Sequence, residues 1–471
     1  MFGLQICLRR LRQRLTNGPW RYDSWMHLYR GASWSAGATH KSRDSSDERA
    51  WPNACDVLVV GGGAVGSSVA YHLKERARED LSVIVVEQDS TYKTASTVLS
   101  LGNIREQFSV AENIQLSMYS RRFLRQVPEL LSVEGSDPVD VQFTPQGYLF
   151  VTHEEGLKQM QENFKLQTSL GAKVEWLWSR QLQQRFPWLR LGKVVAGIIG
   201  DYGNEGFFDP WALLMGLRRK AEWLGARYLD GRVTDLIHRQ QATPATGHTP
   251  PRILTTAQIT VRSGEKRDIQ FSTLVVAAGA WSGALGRMAG LGCGTGFLAT
   301  PIPVEPRKRN IFCVHAPHGP WKDCPIFNDY TGLYFRPDRS GQLYIIGMSP
   351  SEDKEPPADD LQVDYQFFDT DMWPILAERV PAFENLKVRS AWAGFYDYNT
   401  LDQNLIVGFH PVYKNMCLAT GFSGHGIQQS PAVGRAVMEY ILDGKSHSIN
   451  LERFGFDRIL ANQPIKEMMV M

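Results

Sequence analysis

Three glycines at the end of an apolar run constrain this chain more than any other feature. Residues 56–66 read DVLVVGGGAVG, and a helical pattern follows. In such a run the first glycine makes the tight turn out of a strand, the second lets backbone approach a pyrophosphate, and the third lets the helix pack against the strand. The helix N-terminus directs N–H groups and partial positive charge at the phosphates. We therefore predict a dinucleotide-binding turn formed by Gly61, Gly62, Gly63, Ala64, Val65 and Gly66.

A carboxylate stands where the ribose of such a ligand would lie. The second apolar run, residues 82–87, reads SVIVVE and ends at Glu87, about 20 residues beyond Gly66. A carboxylate at this position accepts from the ribose hydroxyls and repels a 2′-phosphate, so the pattern favours NAD or FAD over NADP. An ordinary βαβ unit with a glycine-rich turn is the alternative at this point.

Two later segments repeat the strand–glycine–helix arrangement. Residues 273–282 read TLVVAAGAWS, and residues 416–427 read MCLATGFSGHGI. Because one such element opens the body of the chain, one lies in its middle and one near its end, we predict an α/β fold with a discontinuous Rossmann-like dinucleotide-binding domain. Its predicted parts are 55–140, 226–290 and 396–445, with an inserted α+β substrate domain on a mixed sheet at 141–225 and 291–395, and a C-terminal tail at 446–471.

Local signals indicate the elements between these motifs. Residues 142–151 predict a strand, or a hairpin about residues 145–147. Asp209 and Pro210 are typical of the N-cap and first residue of a helix, which would run to Gly225. Other helices are predicted at 110–126, 154–170 and 180–186, and strands at 227–238 and 253–261. Residues 240–251, rich in Pro, Thr and Gly, predict an exposed loop.

The first 50 residues differ from the rest of the chain. They hold nine of the 51 basic residues but only four of the 49 acidic ones. Leu4, Leu8, Leu11 and Leu15 are spaced to share one face of a helix, with arginines beside them. An amphipathic, Arg-rich start of this kind predicts a mitochondrial transit peptide and linker over residues 1–50, with a disordered basic tail as the alternative.

Composition and simple patterns disfavour several other classes of protein, namely nucleic-acid-binding, disulfide-rich, zinc-binding and membrane-spanning proteins. With 471 residues, 43% of them apolar, the chain has enough material for the cores of two domains. Beyond residue 50 it is slightly acidic and has no basic stripe, so we expect no nucleic-acid partner. The six cysteines form no CxxC pair, which disfavours a disulfide framework or a zinc site. No apolar run reaches about 18 residues, so any membrane association is expected to be peripheral.

Taken together, the motifs resemble those of the FAD-dependent amine oxidoreductases of the D-amino acid oxidase superfamily. The similarity covers roughly residues 55–445 and is closest to the branch of sarcosine oxidase, glycine oxidase and dimethylglycine dehydrogenase. Its carriers are Glu87, VVGGGAVG at 59–66, GNIREQF at 102–108, VVAAGAWS at 275–282 and TGFSGHG at 420–426. The resemblance implies FAD as cofactor, with further contacts from Gly279, Ala280, Trp281, Gly421, Gly424, Gly426 and Gln428.

The resemblance also implies catalytic residues. Arg105 matches an arginine that in the family faces the flavin and pairs with the substrate carboxylate, a role for which a planar guanidinium is suited. A structural arginine is the alternative. His425, between two glycines, would hydrogen-bond flavin or substrate, or else be structural. Tyr148 is either a wall of the site or an ordinary strand aromatic.

Three positions depart from the family pattern. Leu99 stands where sarcosine and dimethylglycine dehydrogenases attach FAD through a histidine. Residues 393–400, AGFYDYNT, lack the cysteine through which monomeric sarcosine oxidase attaches it. These two departures predict non-covalent FAD. Gln428 replaces a lysine that in the oxidase helps to bind the carboxylate and activate oxygen, which weakens the expectation of a sarcosine-like substrate.

Two cellular functions follow from the resemblance. The whole chain, leader included, resembles a mitochondrial member of the branch that is linked to assembly of respiratory complex I. This implies a matrix protein, peripheral on the inner membrane if attached at all, with complex I subunits or assembly intermediates as partners. The alternative is an active oxidase or dehydrogenase of a small secondary amine or amino acid with no assembly role. A NAD-dependent dehydrogenase is disfavoured by the closing element at 421–426.

Overall fold

The structure is a computed structural model that describes residues 51–240, 252–320, 324–339 and 342–468. The predicted leader, residues 1–50, lies outside these ranges, as does nearly all of the loop predicted at 240–251. Among the described residues, no helix combines the length and the apolar character needed to cross a membrane.

Helices and strands mostly alternate in the first part of the described chain, and beyond Trp223 most of the strands follow one another in runs. The helices are α1 (Ala64–Ala77), α2 (Ser96–Leu99), α3 (Ala111–Arg125), α4 (Val127–Leu130), α5 (Leu157–Ser169), α6 (Ser179–Arg185), α7 (Pro210–Trp223), α8 (Ser282–Met288), α9 (Tyr365–Phe367), α10 (Trp373–Arg379), α11 (Gly426–Asp443) and α12 (Asp457–Leu460). The strands in the first part of the described chain are β1 (Ala54–Val60), β2 (Val83–Glu87), β3 (Asn103–Ile104), β4 (Thr144–Pro145), β5 (Tyr148–Thr152), β6 (Val174–Trp178), β7 (Ala196–Gly200), β8 (Gly206–Phe207), β9 (Arg227–Asp230), β10 (Arg232–Gln240), β11 (Arg252–Thr260) and β12 (Lys266–Val276). The later strands are β13 (Val304–His315), β14 (Ile326–Asn328), β15 (Leu333–Pro337), β16 (Leu343–Met348), β17 (Lys387–Asn399), β18 (Ile406–Phe409) and β19 (Met416–Thr420).

The first sheet carries all three glycine elements. Strands β9, β2, β1, β12 and β19 lie side by side and are parallel, and β10, β11 and β18 extend the sheet with antiparallel pairs. Strand β1 is apolar throughout because both of its faces are covered. Val57 and Val59 pack into the core beneath α1 and α11, while Leu58 and Val60 pack into the core on the opposite face. The predicted α/β class and the Rossmann-like arrangement are confirmed.

The second sheet is mixed, as predicted for the inserted domain. Its order is β17-β13-β16-β15-β14-β5-β7-β6, and among these pairs only β14 and β5 run parallel. One face packs against α6 and α10 over a core that includes Leu182, Phe327 and Leu376. A small third sheet has the strand order β3-β8-β4, and both of its strand pairs are antiparallel.

The predicted start of α7 is confirmed, and the predicted hairpin is wrong. The strand predicted at 227–238 is divided into two strands, because β9 pairs with β2 whereas β10 pairs with β11. Asp209 caps α7 by accepting from the N–H groups of Trp211 and Ala212, at 2.9 and 3.2 Å, with Pro210 as the first helical residue. The hairpin predicted about residues 145–147 does not form. Strand β4 pairs with β8 and β5 pairs with β7 and β14, because Gly147 redirects the chain from one sheet to another instead of folding it back.

Helix α7 and the C-terminal segment both pack against the first sheet, although the sequence analysis predicted them outside the dinucleotide-binding domain. Helix α7, inside the segment predicted as substrate domain at 141–225, contributes Leu213 and Leu217 to the core of the first sheet. The C-terminal segment predicted as a tail also folds onto that sheet. Arg458 pairs with the buried Asp402 at 2.8 Å, and Phe454 is buried in the same core as α1. The domain boundaries themselves stay predictions.

Candidate active site

A cavity of about 770 Å³ lies between the two large sheets. It runs from the first glycine turn, past Glu87, to Arg105 and the turn before α11. Strands of the first sheet end at one side of it, and β5, β13, β14, β15 and β17 of the second sheet contribute to the other side. Ligands of open α/β sheets bind outside the carboxyl ends of the strands, which is where this cavity is placed.

The first glycine turn forms one end of the cavity. Gly61 has φ +104°, and a Cβ there would overlap the carbonyl oxygen of Ala277, so only glycine fits. A Cβ on Gly66 would overlap the carbonyl oxygen of Gly61, so Gly66 serves helix packing. Gly61, Gly63, Ala64 and Val65 line the cavity, whereas Gly62 and Gly66 do not.

Glu87 is held at the end of β2 by backbone donors. Its carboxylate accepts from the N–H of Gly62 at 2.8 Å and from the N–H of Asp89 at 2.9 Å, and the residue lines the cavity. Burial raises the pKa of Glu87, and the two N–H donors oppose that effect. The two N–H donors therefore fix the Glu87 carboxylate at the cavity, where its oxygens can accept further hydrogen bonds.

Thr97 contributes to this end of the cavity, and the glycine motif does not predict it. The hydroxyl of Thr97, on α2, accepts from the N–H of Ala64 at 3.1 Å and caps the first turn of α1. Thr97 also lines the cavity. A helix N-terminus that binds an anion thus has a neutral hydroxyl beside it, supplied from 33 residues further along the chain.

The middle and last glycine elements meet behind the cavity. Gly279 and Trp281 line it, whereas Ala280 is buried and does not. The hydroxyl of Thr420, at the end of β19, donates to that of Ser282 at 2.7 Å and joins the two elements. Of the last turn, Gly424, His425, Gly426 and Gln428 line the cavity, while Gly421 packs against Val304 and Asn399.

A buried carboxylate on β17 holds the last turn in place. Asp397 accepts from the N–H of Phe422 at 2.9 Å through its side chain and from the N–H of Ser423 at 2.9 Å through its backbone carbonyl. Burial raises the pKa of Asp397 to about 6. The N–H groups at the start of α11 have no acceptor within their helix and remain directed at the cavity beside Gly424 and Gly426. This arrangement favours negative charge on a ligand at that point.

Arg105 is a buried cation in an aromatic box. Its Cζ lies 4.7 Å from the ring centre of Phe108, 5.6 Å from that of Tyr148 and 5.1 Å from that of Phe150. Its Nε donates to the carbonyl of Gln107 at 3.2 Å, and its Nη2 lies 3.1 Å from Nε2 of His425. Among the described residues no carboxylate lies within ion-pair distance of this guanidinium, although only 6% of the residue is exposed.

His425 and Gln428 complete the surroundings of Arg105. Burial, and after it the Arg105 charge, lowers the pKa of His425 to about 3, so the imidazole is neutral. The side-chain oxygen of Gln428 accepts from the backbone N–H of Arg105 at 3.0 Å, which leaves its NH₂ group as a donor at the cavity. The structure therefore brings together Arg105, His425 and Gln428, with Tyr148 as a wall residue.

A second buried network supports Arg105 from behind. Glu205 accepts from the N–H of Glu106 at 2.7 Å and from Nε2 of Gln107 at 2.9 Å. Burial raises the pKa of Glu205 to about 8. Sequence reasoning assigned no role to Glu205, Gln107, Asp397 or Thr97. Gln107 and Asp397 lie in segments that it quoted, but each of the four residues acts through a partner distant in sequence.

The residues of the cavity fit FAD. A pyrophosphate needs a Cβ-free cradle at a helix N-terminus, and Gly63 and α1 supply one. A ribose needs a carboxylate at the end of the second strand, and Glu87 is there. The volume is in the range of cofactor sites. Within the described part of the lining there is no cysteine, and His425 is the sole histidine.

The fold and the site together define an FAD-dependent oxidoreductase. The family model described as FAD dependent oxidoreductase (DAO) matches residues 56–440, and the chain belongs to that family. FAD, non-covalently bound, is its cofactor. When bound, FAD supplies the two-electron redox chemistry, and the protein supplies orientation and electrostatics.

The chain is similar to several known proteins. It is 46% identical over 425 residues to the FAD-dependent oxidoreductase domain-containing protein 1 of Xenopus laevis, covering 88% of this chain and 85% of the relative. It is 25% identical to the mitochondrial dimethylglycine dehydrogenase of Homo sapiens, over 85% of this chain and 44% of that protein. Among solved structures, L-proline dehydrogenase from P. horikoshii has a TM-score of 0.72 at 24% identity, covering 88% of this chain and all of that one, which supports the fold.

Proposed function

We propose that the protein oxidises the C–N bond of a small amine that bears a carboxylate. One observation carries this proposal, namely the buried and unpaired guanidinium of Arg105 in the FAD cavity. A buried charge is costly. The Arg105 charge acts at longer range on the buried carboxyls of Glu205 and Glu467, but among the described residues neither forms an ion pair with it. Its direct contacts are aromatic faces, one carbonyl and a neutral imidazole, which compensate for its burial only in part. An anion that enters the cavity would remove that cost.

The geometry of Arg105 favours a carboxylate. A planar guanidinium binds a carboxylate through two parallel N–H···O bonds, which fixes the orientation of the carbon next to it. No described residue accepts from Nη1 of Arg105. The NH₂ of Gln428 is a neutral donor on the same side of the cavity. Arg105 would hold the carboxylate so that the adjacent C–H faces bound FAD, which would supply the two-electron oxidation that converts the neutral amine into an iminium ion.

The protonation state of His425 supports the same assignment. A protonated imidazole 3.1 Å from Arg105 would repel it, and the low pKa of His425 avoids that repulsion. His425 instead accepts a hydrogen bond from Nη2 and orients the guanidinium. Because Gln428 is uncharged, Arg105 supplies the positive charge that binds the substrate.

Anaerobic flavin reduction tests this proposal. The holoprotein would be mixed with a panel of primary and secondary amino acids, and the loss of flavin absorbance followed. We expect Arg105→Lys to keep its FAD but to need at least about tenfold more substrate, since the bidentate contact is lost. Arg185→Lys, at an exposed ion pair with Glu175, is the matched control. Equal reduction of wild type and Arg105→Lys by every substrate would refute the proposal.

We further propose that the protein works in the mitochondrial matrix, at most peripherally on the inner membrane, as an assembly factor for respiratory complex I. The Arg-rich amphipathic residues 1–50 support the location, and a relative at 25% identity is named as mitochondrial. Its partners would be complex I subunits or assembly intermediates. The loss of the family lysine at Gln428 favours a role in which fast turnover is not required.

Import and rescue experiments test the cellular proposal. A protein that lacks residues 1–50 should fail to enter mitochondria, and its normal import would contradict the location. In cells without the protein, Gly63→Val, which removes FAD, should not restore complex I. The double variant Arg105→Ala and His425→Ala should restore it in part. No rescue by the double variant, at normal FAD content and abundance, would show that turnover itself is required.

A further inference from the structure

We propose that Asn103 and Asn328 form a neutral polar subsite beside Arg105, which binds a hydroxyl or carboxamide group in the substrate side chain. This inference rests on the proposed function, because it assumes that Arg105 holds the substrate carboxylate. It adds a substrate class, namely α-amino acids whose side chain carries a group that both donates and accepts hydrogen bonds.

Asn103 lies near Arg105 through a neighbour that they share. Asn103 belongs to β3, and Arg105 follows that strand two positions later. Tyr148 adjoins both of them. Nδ2 of Asn103 donates to the hydroxyl of Tyr148 at 3.4 Å, and the Tyr148 ring centre lies 5.6 Å from Cζ of Arg105. Asn103 and Arg105 both line the cavity.

Asn328 reaches the same wall from another strand. In the parallel pair of β14 and β5, Asn328 is aligned with Phe150, so their side chains share one face of the sheet. Phe150 stacks on Tyr148 with ring centres 5.4 Å apart, and it forms part of the aromatic box around Arg105. Asn328 also lines the cavity. The two asparagines therefore flank the aromatic wall on which Arg105 rests.

Each asparagine has one buried polar atom without a partner. No described residue hydrogen-bonds to Oδ1 of Asn103 or to Nδ2 of Asn328, and Asn328 is only 2% exposed. A buried polar group left without a hydrogen bond destabilises the protein, and buried polar groups in native proteins have partners. Because both asparagines line the cavity, a ligand group bound there can supply the missing partner.

The chemistry of the two unpartnered atoms limits which ligand groups could bind to them. Oδ1 of Asn103 is an acceptor and Nδ2 of Asn328 is a donor, so one group that donates and accepts would satisfy both. Neither atom is charged, which favours a neutral group over a second carboxylate or an ammonium. A hydroxyl or a carboxamide meets these requirements. An apolar side chain of the same size would leave both atoms unpaired.

A pair of nearly isosteric amino acids tests the inference. Asparagine and leucine, in both enantiomers and with or without an N-methyl group, would be titrated into the anaerobic holoprotein and their Kd measured from the flavin spectrum. We expect wild type to bind asparagine at least about tenfold more tightly than leucine. In Asn103→Leu and Asn328→Leu this preference should disappear, while FAD content and Tm stay close to those of wild type.

The outcomes separate this inference from the proposed function. If amino acids bind and Arg105→Lys weakens all of them equally, but wild type prefers leucine or shows no preference, the subsite is refuted and the role of Arg105 stands. If no carboxylate perturbs the flavin of wild type, the proposed function fails and the subsite fails with it. Loss of FAD in either leucine variant would assign the asparagine to the cofactor and overturn the inference.

Discussion

Nη2 of Arg105 lies 3.1 Å from Nε2 of His425, a residue 320 positions later in the chain. An arginine can only donate, so Nε2 of His425 is the acceptor and the imidazole proton is on Nδ1. Arg105 follows a strand of the small third sheet, and His425 precedes helix α11 of the first sheet. This contact therefore joins the segment after β3 to the turn before α11.

The neutrality of His425 should be visible as a pH dependence of stability. Its pKa is about 3 in the folded protein and about 6.5 in an unfolded chain, so below pH 6.5 the unfolded state binds a proton that the folded state does not. Stability is lost as pH falls. Between pH 7 and pH 5 this residue should lower the free energy of unfolding by about 2 kcal/mol.

Urea unfolding of wild type and His425→Gln measures this contribution. Both proteins share every other titrating group, so the difference between their pH slopes isolates His425. We expect the free energy of unfolding of wild type to fall more steeply on acidification. Parallel slopes would mean that His425 is protonated in the folded protein or exposed to water.

Gly63→Val should remove FAD without unfolding the chain. Gly63 has φ −65°, which any residue adopts, and a Cβ there would meet only the hydroxyl of Thr97 at 3.2 Å. The valine methyl groups would instead occupy the pyrophosphate cradle. We expect the flavin-to-protein ratio to fall at least about tenfold, while the exposed Gly203→Val keeps its FAD.

Added FAD provides the second measurement for this variant. Ligand that binds only the folded state raises Tm, so FAD should raise the Tm of Gly203→Val and leave that of Gly63→Val unchanged. An equal rise in both variants would show that Gly63 does not form the cradle.

Acid precipitation should release the flavin. Leu99 cannot form a covalent bond to FAD, and the described lining of the cavity has no cysteine. Its one histidine, His425, is engaged with Arg105 through Nε2. We expect the FAD absorbance in the supernatant after trichloroacetic acid treatment. Yellow colour that stays in the washed pellet would contradict non-covalent binding.

Glu467→Gln should destabilise the fold through the start of α3. The Glu467 carboxylate accepts from the N–H groups of Ser109 and Val110, at 2.7 and 3.2 Å, and from Nδ2 of Asn113 at 2.6 Å. A glutamine presents an NH₂ to these donors and loses charge at a helix N-terminus, at a cost of about 1–3 kcal/mol. Chemical unfolding measures this cost, with the exposed Glu384→Gln as control. Equal stability of the two variants would show that the C-terminal segment is not anchored through Glu467.

The parts of the fold that sequence alone predicted are those encoded in short stretches. Strand β1 with its glycine turn, the capped start of α7 at Asp209 and the turn before α11 each place a few neighbouring residues in one conformation. The hairpin about residues 145–147 was wrong because β4 and β5 have short-range signals for pairing with each other but meet different partners in the fold. Strand pairing depends on distant segments, and local pattern does not contain it.

Local sequence was sufficient to predict that the glycine turn and Glu87 meet at one end of the cavity, since both lie within one βαβ unit. The surroundings of Arg105 exist only in the assembled fold. Arg105 is buried because β5 and the turn before α11 pack on either side of it, and no described carboxylate forms an ion pair with it. Asn328 lies beside the aromatic residues that contact Arg105 because the register of β14 with β5 aligns it with Phe150. Burial and register are properties of contacts between distant segments, and no window of sequence specifies them.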